Sequence, residues 1–185
     1  DRKGCTDTDS DGWSDPDEGW GPNNGADAFA LEPTQWLDSD NDGFGDNIDG
    51  FEPDHCPYRR GYSTSDRFGC LDSDGDSWSD ADPGGLDACP FITGYSVEDR
   101  FGCPDADNDG WSDPDLNWTS REGADAFPEN PSQWSDIDND GWGDNQSEGA
   151  TQVDDFPENP TQWLDTDGDG WGDNQSYGAT QVDDF

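Results

Sequence analysis

A chain of 185 residues with 47 acidic against 7 basic side chains, a formal charge of −40 and 27% apolar residues lacks the material for a conventional hydrophobic core. That charge argues against nucleic acid and anionic membranes as partners, and no apolar run approaches the length of a membrane span. Acidity of this order ordinarily gives disorder, yet 10 Trp and 9 Phe, with acids recurring at fixed spacing, are not a disordered composition.

In chain order, a nine-residue frame Asp-x-Asp-x-Asp-Gly-aromatic-x-Asp opens at Asp7 (DTDSDGWSD), followed by a connector DAFALEPTQWLD from Asp27. The frame returns at Asp38 (DSDNDGFGD) and leads into a Cys connector, CPYRRGYSTSDRFGC from Cys56 to Cys70. The third frame, at Asp72 (DSDGDSWSD), carries Ser77 where the others carry Gly, and a second Cys connector, CPFITGYSVEDRFGC, runs from Cys89 to Cys103. The fourth, at Asp105 (DADNDGWSD), precedes DAFPENPSQWSD from Asp125. The fifth, at Asp136 (DIDNDGWGD), precedes DDFPENPTQWLD from Asp154, and the sixth opens at Asp165 (DTDGDGWGD). The sequence predicts one continuous array over 1–185, rich in turns, with no long helix or strand; short helical turns are expected at most at ENPTQW.

Carboxylates at positions 1, 3 and 5 of a tight loop can converge on one hard cation, and Gly at position 6 lets the backbone turn with positive φ. The predicted ligands are Asp7, Asp9, Asp11, Trp13 and Asp15; Asp38, Asp40, Asp42, Phe44 and Asp46; and Asp72, Asp74, Asp76, Trp78 and Asp80. The later frames supply Asp105, Asp107, Asp109, Trp111 and Asp113; Asp136, Asp138, Asp140, Trp142 and Asp144; and Asp165, Asp167, Asp169, Trp171 and Asp173. The aromatic residue at position 7 offers its backbone carbonyl. Asp at position 9 closes the shell directly, through water, or by bridging to a second ion. Calcium, in six or more copies, fits an all-oxygen set of this density better than magnesium, which keeps its waters, or zinc and copper, which want His and Cys. Position 12 reads Glu18, Asp49, Pro83, Leu116, Ser147 and Ser176, and flanking amphipathic helices are absent, so these are not EF-hands.

More carboxylates remain: Asp17, Asp82 and Asp115 at position 11, and Asp27, Asp54, Asp87, Asp125, Asp154 and Asp183 at the connector starts. They either build a second site in each unit or simply cap turns and face water. The cysteines pair naturally as Cys56 with Cys70 and Cys89 with Cys103, each 14 positions apart in matching connectors, which implies an oxidising compartment.

The DxDxDGxxD loops, the steps DHCP (Asp54 to Pro57) and DACP (Asp87 to Pro90), and the runs Cys70-Leu71-Asp72 and Cys103-Pro104-Asp105 resemble the thrombospondin type 3 repeat family. The resemblance implies a calcium core wrapped by chain, disulfide staples, little regular secondary structure and an extracellular setting. Three connectors depart from it, with Phe and Trp where that family has Cys.

His55 stands alone beside Cys56, without the partners a catalytic base requires, and no enzyme is expected. Arg59, Arg60, Arg67 and Arg100 are expected to pair with neighbouring carboxylates. The Trp rings serve as a substitute core or, alternatively, bind sugars. Asn117, Asn145 and Asn174 match the N-glycosylation acceptor. The expected protein is thus an irregular, calcium-stapled tandem-repeat rod, secreted or at the cell surface, acting as a stalk or filament subunit; the alternative is a calcium-dependent adhesion module for glycan, matrix or mineral. Asp1-Arg2-Lys3-Gly4-Cys5 matches the closing half of a Cys connector and Asp183-Asp184-Phe185 the opening of another unit. Head-to-tail self-association, or continuation of a longer array, is the corresponding expectation.

Overall fold

A computed structural model describes residues 2–80 and 84–183. Asp82, one of the position-11 carboxylates, and Asp1, Asp184 and Phe185 of the matching ends lie outside the described residues. The chain is almost entirely irregular, as its Gly, Pro, Asn and Asp content dictates. Among the described residues the only helical element is the 3-10 turn Pro22–Asn24, closed by Gly25 at φ 98°. It does not fall at ENPTQW. There, successive amides bond three residues back, Asn159 to Phe156 and Gln162 to Asn159, without propagating into a helix. No helix among the described residues is long and apolar enough to cross a membrane.

The chain divides into two compact units, Asp1–Thr93 and Gly94–Phe185. The first holds the loops at 7, 38 and 72, with isolated bridges Asp17 to Trp20, Gly45 to Pro53 and Asp80 to Asp87. The second holds the loops at 105, 136 and 165, with bridges Gly143 to Val153 and Gly172 to Val182. Cys56 and Cys70 are bonded, Cys89 and Cys103 are also disulfide-bonded, and Cys5 is free and exposed.

The interior is polar. Among the described residues, Ala26, Cys70, Cys103 and Ala124 are the buried apolar ones, against a larger set of buried Asp, Gln and Ser. Such a core is tolerable only where each polar group is partnered. Three glutamines satisfy that condition in full. Gln133 Nε2 donates to the carbonyls of Asn145 (3.0 Å) and Thr151 (2.9 Å) while its Oε1 accepts from Asn145 N (2.9 Å). Gln35 and Gln162 repeat the arrangement toward Asn47 and Phe51, and toward Asn174 and Thr180. In the Cys connectors the same task falls to acids. Asp66 accepts from the amide and hydroxyl of Ser79, and Asp99 from those of Ser112.

In four loops the position-7 ring meets a ring of the connector that follows. Trp13 stacks on Trp36, Trp111 on Trp134 and Trp142 on Trp163, each at 6.1 Å, and Phe44 meets Phe68 at 5.8 Å. Offset stacking at this range supplies apolar contact that the rest of the chain lacks.

Candidate metal centres

Each loop is shaped by its own first aspartate. In the loop at 136, Asp136 Oδ1 accepts the amide of Asn139 (2.7 Å) and Oδ2 that of Gly141 (2.9 Å). Asp105 does the same with Asn108 (2.7 Å) and Gly110 (2.9 Å), and Asp165 with Gly168 and Gly170, both at 2.7 Å. Position 5 accepts the amide of position 7, as in Asp140 to Trp142 at 2.9 Å. These bonds require left-handed backbone at two positions. Position 6 is at φ 92° in Gly141 and 100° in Gly110; position 4 is at 63° in Asn139 and 64° in Asn108. The sequence reading found the first requirement and missed the second. Its signal was the Ser, Asn or Gly at position 4, residues rich in those that tolerate this region. Ser77 adopts the glycine turn itself, at φ 84°.

The result is a cluster of carboxylate oxygens within 4.8 Å of one another in Asp7, Asp9 and Asp11, in Asp38, Asp40 and Asp42, in Asp72, Asp74 and Asp76, in Asp105, Asp107 and Asp109, in Asp136, Asp138 and Asp140, and in one further group. No described group donates to the carbonyl oxygens of Trp13, Phe44, Trp111, Trp142 or Trp171, which leaves them available as ligands. Position 9 is differently engaged. Asp15 binds the amide (3.0 Å) and hydroxyl (2.5 Å) of Thr8, Asp46 those of Ser39 and Asp80 those of Ser73, so this residue braces the start of its loop. Asp113 holds the Ala106 amide at 3.2 Å, and Asp173 holds Thr166. Asp144 binds Ser135 and Ile137 through Oδ2 and keeps Oδ1 buried without a partner.

The connector aspartates are buried beside these clusters. Asp27, Asp54, Asp87, Asp125 and Asp154 are at most 2% exposed. Each uses Oδ1 to accept the amide two residues on, as in Asp125 to Phe127 at 2.7 Å, and leaves Oδ2 buried and unpartnered. The same orphaned Oδ2 recurs at Asp9, Asp40, Asp74, Asp107 and Asp138 at position 3, and at Asp11, Asp109 and Asp140 at position 5. Burial, followed by the charges of positions 3, 5 and 9 of the preceding loop, raises the carboxyls of Asp54 and Asp125 to about 7 and those of Asp87 and Asp154 to about 6. Burial likewise raises Asp109 to about 6, and lifts Asp27, Asp40, Asp74, Asp107 and Asp138 above their ordinary value. Converging, dehydrated carboxylate oxygens without donors are stabilised either by protonation or by a cation. Oxygen alone makes up the donor set, with no His or Cys, and it can hold several hard metal ions.

The remaining predicted residues are placed as follows. Asp17 meets Arg2 at 2.9 Å and Asp115 meets Arg100 at 2.7 Å. These position-11 residues therefore take part in surface ion pairs, with Arg2 also over Trp20 and Arg100 over Trp118. Arg60 departs from the expected carboxylate pairing: it donates to the backbone carbonyls of Asp40 and Asn41, clamping the loop at 38. His55 is exposed. Asn117 is exposed, whereas Asn145 and Asn174 are half-buried, each donating Nδ2 at 2.8 Å to a connector carbonyl, of Ser132 and Thr161 respectively. Neither a scan of protein-family models nor a search of curated proteins returns a match to this chain.

Proposed function

We propose that this chain is an extracellular calcium-binding structural protein of thrombospondin type 3 repeat-like character, a stalk or filament subunit stiffened by calcium. The observation that supports it is the orphaned Oδ2 of a connector aspartate beside the orphaned oxygens of the preceding loop, repeated five times. One ion per unit is held by positions 1, 3 and 5 with the position-7 carbonyl. A second is shared by positions 3 and 5 with the connector aspartate. Two ions in each of six loops would bring +24 against −40, so the loaded chain stays acidic and soluble. Calcium is favoured over magnesium because these irregular carboxylate clusters do not impose an octahedron or reserve places for water.

The disulfides fit an oxidising, secreted setting. The role is mechanical and not catalytic: the buried acids serve the repeat, and units in series convert bound ions into reach and stiffness. With so little apolar core, ion-binding energy is folding energy. The test is native mass spectrometry with small-angle scattering. In calcium the chain takes up about two ions per loop and gives an extended, rigid profile; EDTA releases them and the profile becomes that of an expanded coil. A chain that keeps its calcium-bound profile in excess EDTA would overturn the proposal.

A further inference from the structure

We propose that the second unit carries a binding cleft for a carboxylate-bearing saccharide, with Arg121 on the acid group and the Trp111–Trp134 pair against the sugar ring. The cleft has a volume of about 470 Å³, and its walls include Trp111, Ser120, Arg121, Trp134, Asp136 and Asn139. That volume is in the range of small-ligand sites. A saccharide has a C–H-rich ring face and a hydroxyl-bearing edge. The two tryptophans, parallel to within 4°, offer an aromatic wall for the first. Ser120 and Asn139 offer hydroxyl and amide groups for the second.

Charge selects the kind of sugar. Of the 7 basic residues in the chain, only Arg100 and Arg121 lie in the second unit. Arg100 is committed, 2.7 Å from Asp115 and over the Trp118 ring. Arg121 is exposed and makes no ion pair with a described residue. Of its acidic neighbours, Glu122 binds Thr119 through Oε2 and feels Arg121 only as a nearby charge, and Asp136 on the cleft wall accepts the amides of Asn139, Asp140 and Gly141. A guanidinium that forms no ion pair with a described residue is a planar, two-pronged receptor for a carboxylate.

The first unit supplies an internal control. Its Trp13–Trp36 pair has the same 6.1 Å spacing and 4° angle. Ninety-eight positions earlier, however, Asn23 stands for Arg121 and Leu37 for Ser135. The ring pair is common to both units, and the cationic arm belongs to one. This inference does not depend on the chain being a stalk or filament.

The test uses the full chain saturated with calcium, a glucuronic-acid-terminated disaccharide, and the methyl ester of the same sugar. Titration calorimetry gives affinity, and saturation-transfer NMR shows which sugar protons face aromatic rings. The acid should bind with transfer to its ring protons, and binding should weaken at least about tenfold for the ester and for Arg121→Asn. Arg121→Asn copies the first unit's residue at an exposed, unpaired position, so its fold and calcium content should match the parent. Equal binding of acid and ester, equal binding to Arg121→Asn, or no saturable binding at millimolar sugar would each overturn the assignment.

Discussion

The loops at 136 and 105 hold the same carboxylates in the same turn, yet their neighbours secure them in opposite ways. Before the loop at 136 the connector supplies Gln133, fully buried, whose side chain lies where a Cβ on Gly143 would sit, 2.1 Å from Gln133 Oε1. Before the loop at 105 the connector supplies Asp99, which grips the amide (2.8 Å) and hydroxyl (2.6 Å) of Ser112 at the same loop position. Position 8 is thus Gly where the connector carries Gln, as in Gly45, Gly143 and Gly172, and Ser where it carries the Cys-connector Asp, as in Ser79 and Ser112. The two solutions keep the same Asp spacing on different scaffolds. They also show that a connector and position 8 must be exchanged together.

The largest effect should fall on both kinds alike, because both contain the connector aspartate. Asp54 and Asp125 have carboxyls at about 7, raised first by burial, against an ordinary value of 3.8. The metal-free folded chain therefore binds more protons than the unfolded chain between those values, and its stability falls as pH rises through that window. In EDTA, acidification from pH 8 to 5 should recompact the chain, and in calcium the same acidification should release ions by competition. Hydrogen exchange that recovers on acidification in one kind of repeat alone would separate the two at their shared element.

Gly143→Ala should cost about 3–4 kcal/mol, from overpacking together with the displaced hydrogen bonds of Gln133, whereas Ser112→Ala should lose only the hydroxyl bond, about 1 kcal/mol. Thermal unfolding in excess calcium reads both; similar losses would dissolve the distinction between Gln and Asp scaffolds. The double substitution of Cys56 and Cys70 by Ser should cost about 3 kcal/mol on the chain-entropy estimate and act on the Cys connector alone. Proteolysis after reduction should therefore cut the Cys connectors before the 136 and 165 repeats.

The smallest effect is a gain. Ser77 sits at φ 84°, so Ser77→Gly should stabilise the loop at 72 by about 1 kcal/mol and raise its calcium affinity, read by titration of the variant against the parent. An unchanged affinity would mean that the bonds at its carbonyl, from Thr64 and Ser65 at 2.9 Å each, hold the turn regardless of residue type.

Sequence alone determined the ion loops, because spacing on a tight turn leaves few ways for three carboxylates to point: Asp136, Asp138 and Asp140 converge as the frame demands. It also determined the irregular fold, since Gly, Pro and Asn at this density cannot sustain helix or strand, and the pairing of Cys56 with Cys70. Only the tertiary structure decided what the connector aspartates do. A carboxylate at Asp125 is indistinguishable in sequence from a solvated turn cap, and only packing buries it beside Asp107 and Asp109, where it could join them on an ion. The same holds for the role of Asp15, turned to its own loop by Thr8, and for Gln133, Asp66 and Asp99. The partners of Gln133, Asp66 and Asp99 lie about a dozen residues away. Hydrogen bonds across that distance are set by how the chain folds back, which no local pattern encodes.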